Sequence, residues 1–430
     1  MNFNYYKKNM FFFLKKLYPN IRSITGPGIK DALSFFEKIN PELKRLKFKS
    51  GKKIFDWTIP DEWFIKNAHI IDLKTKKKII DYKNNNLHVV NFSKAFNKII
   101  NKDKLLKKIY YLENQKNAIP YITSYYKKDW GFCIRHNDLK KFKNDKYKVL
   151  IDSNFKKGHL ELSHAVVKGR SKKEIFFSSY LCHPSMANNE LSGPLVLNGI
   201  LKYVSEIKNN YYSYRFVIGP ETIGSICYLS KFKNQLKKNV IAGFNLSCLG
   251  DNRNYSIVYT RKKNTLSDHS LHCLLKNKKN FKKYDFLYRG SDERQYNSPL
   301  VDLPVCNFSR TKFGEYKEYH TSLDNLNIVN NKNLKDSLKI MTNLVDDFEK
   351  GVFPISKNYC EPFLTKYKLY PTISKKNNKS IYIKNILDFI AYSDGKTSLF
   401  EISNILNLPL LKIKKISRFL QKKKLIKVLK

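Results

Sequence analysis

Residues 174–194 read Glu174-Ile-Phe-Phe-Ser-Ser-Tyr-Leu-Cys-His183-Pro-Ser-Met-Ala-Asn-Asn189-Glu190-Leu-Ser-Gly193-Pro194, and this stretch decides the fold. Its first eight residues are a short, mostly apolar run, as expected of a strand buried on both faces. A polar turn follows. Ser192-Gly193 then opens a helix whose apolar residues run from Leu195 to Ile207. The unit returns downstream: Tyr214-Arg-Phe-Val-Ile-Gly219 is a strand followed by a helix over 225–232, and 240–248 is a further apolar strand. Apolar strands alternating with helices predict an α/β fold, with a mostly parallel sheet and helices on both faces. Ligand chemistry in such sheets gathers beyond the carboxyl ends of the strands.

On the amino-terminal side, residues 1–50 read as helical: 10–14 form one face of a first helix, and 31–39 carry apolar residues at helical spacing before Pro41. Residues 51–165 change character. The runs 54–60, 68–72, 87–92, 147–152 and 159–167 are β-type, which predicts a β-rich inserted lobe. The α/β domain spans 166–355. A separate unit over 366–430 contains a Lys/Asn-rich spacer at 374–380, then three helices beginning near Ile383, Ser398 and Leu410. A strand over 425–429 closes it. This is the outline of a small winged helix.

Hydrophobic residues make up 42% of the 430 and aromatics 14%, a globular composition despite a formal net charge of +46. Lysine is spread along the whole chain. The charge therefore reads as a solvated surface that attracts anionic substrates, and a nucleic-acid partner is not favoured. The third helix of the carboxyl-terminal unit does carry Lys412, Lys414, Lys415 and Arg418, but without a cluster of base-reading side chains. That unit is expected to pack on the α/β domain or to make a homo-oligomer contact. Seven scattered cysteines with no CxxC pair point to reduced thiols. No stretch approaches the ~18 apolar residues of a membrane span. The protein reads as soluble and cytoplasmic.

Five segments place metal-type or catalytic side chains just past strands or in polar loops of the α/β domain. His183 ends an apolar strand, and its loop adds Asn189 and Glu190. Glu221, in Gly219-Pro-Glu-Thr-Ile-Gly224, ends the next strand. Asp251 follows the strand over 240–248. Gly290-Ser-Asp292-Glu293-Arg294-Gln-Tyr296 packs polar groups behind a glycine, and Glu318-Tyr319-His320-Thr-Ser-Leu-Asp324 sets a histidine in a polar loop. Imidazole and carboxylate together suit Zn²⁺. Glu221 can serve as a ligand or as the general base for a zinc-bound water, and Glu293 is a second candidate base.

The order of these residues resembles the ligand order of co-catalytic zinc aminopeptidases. The whole chain over 17–430 is similar to a group of bacterial aminopeptidase-like proteins with a carboxyl-terminal winged helix. That group shares the Arg22-Ser-Ile-Thr-Gly26 loop and the segments Phe55-Asp-Trp-Thr-Ile-Pro60, Ser291-Asp-Glu-Arg-Gln-Tyr296 and Glu318-Tyr-His-Thr-Ser322. Its members are often linked to polysaccharide biosynthesis. The resemblance implies one zinc on His183 and Asp251 and a second on Glu221 and His320, with a bridging carboxylate from the 189–190 turn. It also implies that Asp292 and Glu293 lie at the rim, near the substrate amine or behind the ligands, and the residues expected to bind substrate are Asn189, Asp292, Arg294 and Tyr319. The chain departs from the aminopeptidase pattern at three places: Asn189 stands where the bridging acid is expected, Pro220 where the first of two adjacent glutamates is expected, and Ser185 where an acid is usual two residues after the first histidine. Glu190 is the carboxylate left to bridge.

The expected function is zinc-dependent hydrolysis of an amide bond, using one or two Zn²⁺. The substrate is a peptide amino terminus or an aminoacyl or N-acyl sugar. The alternative is a catalytically impaired hydrolase fold that senses a ligand or binds nucleic acid through its winged helix.

Overall fold

The computed structural model describes residues 1–367, 369 and 378–430. Its centre is an eight-stranded sheet in the order Lys44–Lys49, His159–Val167, Ser213–Gly219, Glu174–Tyr180, Val240–Leu246, Val305–Ser309, Tyr255–Val258 and Phe281–Tyr284. The middle four strands run parallel, and antiparallel pairing enters toward the edges. Nearly every residue of those four is buried. This accounts for their continuous apolar character, because both faces are covered.

Helices Phe3–Leu17, Ser192–Glu206 and Asn331–Lys350 pack together on one face, while Pro27–Ile39 and Ile223–Asn239 contact strands from the other. The start of Ser192–Glu206 lies against the end of the neighbouring strand. A Cβ at Gly193 would sit 2.3 Å from the Leu246 carbonyl oxygen and 2.5 Å from Ser179 Oγ, so only glycine fits. The Ser-Gly pair thus fixes where the His183 loop rejoins the domain.

Strands Lys78–Asp81, Glu62–Asp72, Lys146–Lys156 and Phe96–Asn101 form a separate antiparallel sheet. The run over 159–167, expected in the lobe, belongs to the main sheet, where it pairs on both sides. Its alternating sequence is like that of the lobe strands, yet four successive residues, Leu160 to Ser163, are buried. The run over 87–92 is not a strand: a short 3₁₀ turn at Asn86–His88 is followed by loop, with Asn85 capping the turn. The run over 54–60 reduces to two strands of two residues each, Lys53–Ile54 and Trp57–Thr58.

In the carboxyl-terminal unit, helices Asn378–Ala391, Leu399–Ile405 and Leu410–Lys422 surround their own core of Ile386, Phe389, Ile402, Ile413, Ile416 and Leu420. Most of the spacer over 374–380 falls outside the described residues. The unit begins earlier than residue 366, because strand Phe353–Ser356 pairs antiparallel with Ile426–Leu429. A strand that directly follows the last helix of the α/β domain is therefore half of the winged-helix sheet. Contacts across the junction are apolar and polar: Phe400 packs edge to face on Phe348 at 5.8 Å within the main core. Lys414 Nζ meets Asp347 at 2.5 Å, and Lys276 Nζ donates to the carbonyls of Ser403 and Leu408 at 3.3 and 3.2 Å. Among the described residues, no helix is long and apolar enough to cross a membrane.

One ion pair ties the middle of the sheet together. Arg215, 1% exposed, donates to both carboxylate oxygens of Glu174 on the adjacent parallel strand, at 2.5 and 2.9 Å, and to the Tyr228 hydroxyl at 2.9 Å. Removing one partner of such a pair leaves an uncompensated buried charge. Glu174→Ala is expected to lower unfolding free energy by about 3–5 kcal/mol in urea titration. An unchanged midpoint and slope would contradict this role.

Candidate metal centre

The loop that joins strand Glu174–Tyr180 to helix Ser192–Glu206 is gripped from two sides. The buried carboxylate of Asp324 accepts from three successive backbone amides, Ala187 (3.1 Å), Asn188 (2.7 Å) and Asn189 (3.0 Å), and from the Tyr316 hydroxyl (2.8 Å). Beneath the loop, the fully buried Arg22 donates Nε–H to the His183 carbonyl at 3.0 Å and Nη1–H to the Leu17 carbonyl at 2.7 Å. So held, the loop turns Glu190 back on its own start. Glu190 Oε2 accepts from the Cys182 amide at 2.5 Å, and Oε1 contacts His183 Nδ1.

That contact gives the two ring nitrogens of His183 different tasks. Nδ1 faces Glu190, while Nε2 lies 4.0 Å from Glu221 Oε2. Burial alone would lower the pKa of His183, but Glu190 and Glu221 outweigh it and the group is raised. The His320 ring sits 4.9 Å from that of His183, stacks on Tyr319 at 3.9 Å, and meets the edge of Tyr121 at 5.4 Å. His320 Nε2 is buried with no hydrogen-bond partner among the described residues. Burial and His183 push the His320 pKa down to about 2, so its imidazole is neutral and available as a ligand. Glu221 is pushed up to about 8, first by burial, then against the pull of His183 by Asp292 and Glu190.

Cys182, His183 and Glu190 also bring three donor atoms close together, with Cys182 Sγ 3.4 Å from His183 Nδ1. One fact argues against an ion there: Glu190 already occupies the Nδ1 side of His183. The open side of His183 is the other one. Together with Glu221, Arg294, Trp57, Tyr125 and Tyr126 it lines a cleft of about 210 Å³.

The structure therefore sets Glu190 and Glu221 on the two nitrogens of His183 and the His320 ring beside that of His183, with Tyr319 stacked on His320 and Arg294 in the cleft wall. It ties the other expected residues into the scaffold. Asp251 accepts from Thr311 N, Thr311 Oγ1, Arg253 N and Asn188 Nδ2, which uses both oxygens away from His183. Glu293 is fully buried, accepts from the Gly290 and Ser291 amides and from Asn245 Nδ2, and shapes its own turn. Asn189 accepts from the Tyr180 hydroxyl at 2.8 Å. Asp292 accepts from Thr222 N at 2.7 Å and Ser225 Oγ at 3.0 Å, which fixes the turn after Glu221.

Sequence reasoning missed the lobe's share of the site. Tyr121 lies 4.6 Å from His183, its hydroxyl pairs with Tyr125, and Trp57 and Tyr126 complete the aromatic wall. The segment Pro120-Tyr-Ile-Thr-Ser-Tyr-Tyr126 is unusually aromatic for a loop, and that was the signal available. It is stitched to the His320 loop by a Pro120–Thr321 bridge and by amide bonds Tyr121 N→His320 O and Ser322 N→Ile119 O, both 2.8 Å.

A family model described as a domain of unknown function, DUF4910, matches residues 11–351, and a winged helix-turn-helix model matches 353–428. A Clostridium acetobutylicum protein assigned to polysaccharide biosynthesis, with an aminopeptidase-like domain, is 36% identical over 398 residues, or 91% of this chain and 89% of its own. A crystal structure from the same species, of a protein assigned as a peptidase, superimposes with a TM-score of 0.86 at 34% identity over 99% of both chains. The zinc aminopeptidase BSAP of Bacillus subtilis shares the fold, with a TM-score of 0.58 at 13% identity over 79% of this chain and 94% of its own. The chain belongs to the DUF4910 family, with an aminopeptidase-like α/β fold followed by a winged helix.

Proposed function

We propose that this protein is a metal-dependent amide hydrolase that holds a single zinc-type ion on His183, His320 and Glu221. The observation that carries the reading is the buried, unpartnered Nε2 of His320, 4.9 Å ring to ring from His183, whose own Nε2 faces Glu221. Two imidazoles and one carboxylate are a donor set used by catalytic zinc sites. His183 Nε2 and Glu221 Oε2 stand 4.0 Å apart, wider than the ~3.3 Å between tetrahedral donors each about 2 Å from an ion, so holding one would draw Glu221 inward. When bound, such an ion polarises an amide carbonyl and acidifies a water.

The remaining roles belong to the chain itself. Glu190 accepts from His183 Nδ1–H, which selects the tautomer with its lone pair on Nε2. Tyr319 and Tyr121 fix the His320 ring by stacking and edge contact. Asp292 sets the turn that presents Glu221. Among the described residues, Glu221 is the one carboxylate that lines the cleft, so it is also the chain's candidate proton acceptor. This reading replaces the two-ion arrangement implied by resemblance, because Asp251 is engaged elsewhere and Asn189 stands at the bridging position. The substrate is an amide of a peptide or of an aminoacyl or N-acyl sugar, and the assignment of the Clostridium relative to polysaccharide biosynthesis favours the sugar. The winged helix serves as a brace on the α/β domain, with Lys414 engaged by Asp347 instead of facing nucleic acid. Seven free cysteines, six of them buried, support a reducing compartment, and we assign the protein to the cytoplasm.

Metal analysis after zinc loading and dialysis is expected to give about one ion per chain. His183→Ala and His320→Ala are each expected to abolish retention. Two retained ions, or retention in either variant, would contradict the assignment. Glu190→Gln is expected to keep the stoichiometry but weaken zinc affinity by roughly 10–100-fold, as for loss of a carboxylate behind a ligating histidine. Asp251→Asn is expected to bind zinc normally while losing about 1–3 kcal/mol of stability in a denaturant melt. In a panel of N-acylated amino sugars and aminoacyl amides, turnover is expected to vanish on chelation and return with zinc; turnover that survives chelation would contradict a metal-dependent reaction.

A further inference from the structure

An aminopeptidase must hold a protonated amine beside its metal, and carboxylates do that work in water-excluded sites. The cleft beside His183 adds a cation to the Glu221 carboxylate that its proposed ion would engage. Arg294 is part of its wall. One end of the guanidinium donates to Thr222 Oγ1 at 2.5 Å, its Nε is buried with no hydrogen-bond partner, and among the described residues it forms no ion pair. The two acids that precede it in sequence bond elsewhere: Glu293 accepts from the Gly290 and Ser291 amides, and Asp292 from Thr222 N and Ser225 Oγ. A buried donor left without an acceptor is costly, and a guanidinium fork is matched to carboxylate or phosphate. On the same cleft, the lobe supplies Trp57, Tyr125 and Tyr126, with Trp57 and Tyr126 packed edge to face at 5.5 Å. Flat aromatic faces suit the apolar face of a sugar ring. The net charge of +46 favours the approach of anions.

We propose that the cleft selects an anionic N-acyl sugar, whose carboxylate or phosphate pairs with Arg294 while its ring lies on the aromatic wall. The proposal rests on the hydrolase reading for the placement of the amide near His183, but the recognition it describes needs no ion. It separates this protein from enzymes that select a free amino terminus.

The test uses the full-length, metal-free protein and calorimetric titration with four probes: N-acetylglucosamine, its 6-phosphate, its 6-carboxylate (N-acetylglucosaminuronate), and an aspartyl dipeptide. At least one anionic sugar is expected to bind roughly tenfold or more tightly than the neutral one, and Arg294→Gln is expected to erase that gap. The better of the two anions identifies the source of the charge. Equal binding of neutral and anionic sugars by the wild-type protein would overturn the proposal, as would a preference that survives Arg294→Gln or tighter binding of the dipeptide than of either anionic sugar. The wild-type comparison stands even if the variant fails to fold. Zinc retention, measured separately, tests the hydrolase reading: its failure would leave the anion preference intact, and loss of the preference would leave zinc binding intact.

Discussion

The grip of the Asp324 carboxylate on three consecutive amides of the 187–189 turn is the constraint on which the site depends. A loop of this kind, between a buried strand and a buried helix, has backbone donors that water cannot reach, and they need partners. One carboxylate serves three of them. Burial pushes Asp324 up to about 6, while those amides and the Tyr316 hydroxyl pull it back. The turn that results carries Glu190 to His183 Nδ1 and leaves Nε2 facing the cleft. Arg22 fixes the other side by holding the His183 carbonyl. His320 lies only four residues before Asp324, so the same loop that shapes the His183 turn also delivers the second imidazole.

Much of this could be read from sequence, and the reason is local. His183 and Glu221 sit at the carboxyl ends of strands whose apolar runs are unmistakable, and a parallel sheet collects such ends on one edge. Asp251 also follows a strand, yet its side chain closes onto Thr311 of a distant loop. Glu293 lies beside Asp292 but folds back to cap its own turn. Strand position says which edge a residue reaches, not which way its side chain turns. The lobe was harder still. Tyr121 meets His320 across about two hundred residues of chain, through a bridge that no periodicity announces. The winged helix was legible as three amphipathic helices, whereas its first strand was not, because four residues after a long helix carry too little pattern to stand out.

The departures from the aminopeptidase pattern form a consistent set. With Asn189 bonded to Tyr180 and Asp251 bonded to Thr311, the side chains that would hold or bridge a second ion belong to the scaffold. Glu190, one residue on from the expected bridge, orients His183 from behind. Arg294 adds positive charge to a cleft where an amine would need negative charge.

The central claim is where the ion sits. Crystals of the full chain grown with zinc, measured on both sides of the zinc absorption edge, test it most directly. The account predicts one anomalous peak, about 2.0–2.2 Å from His183 Nε2, His320 Nε2 and a Glu221 oxygen, with Glu190 still on Nδ1. A peak between Cys182 Sγ and Glu190, or a second peak at Asp251, would contradict it.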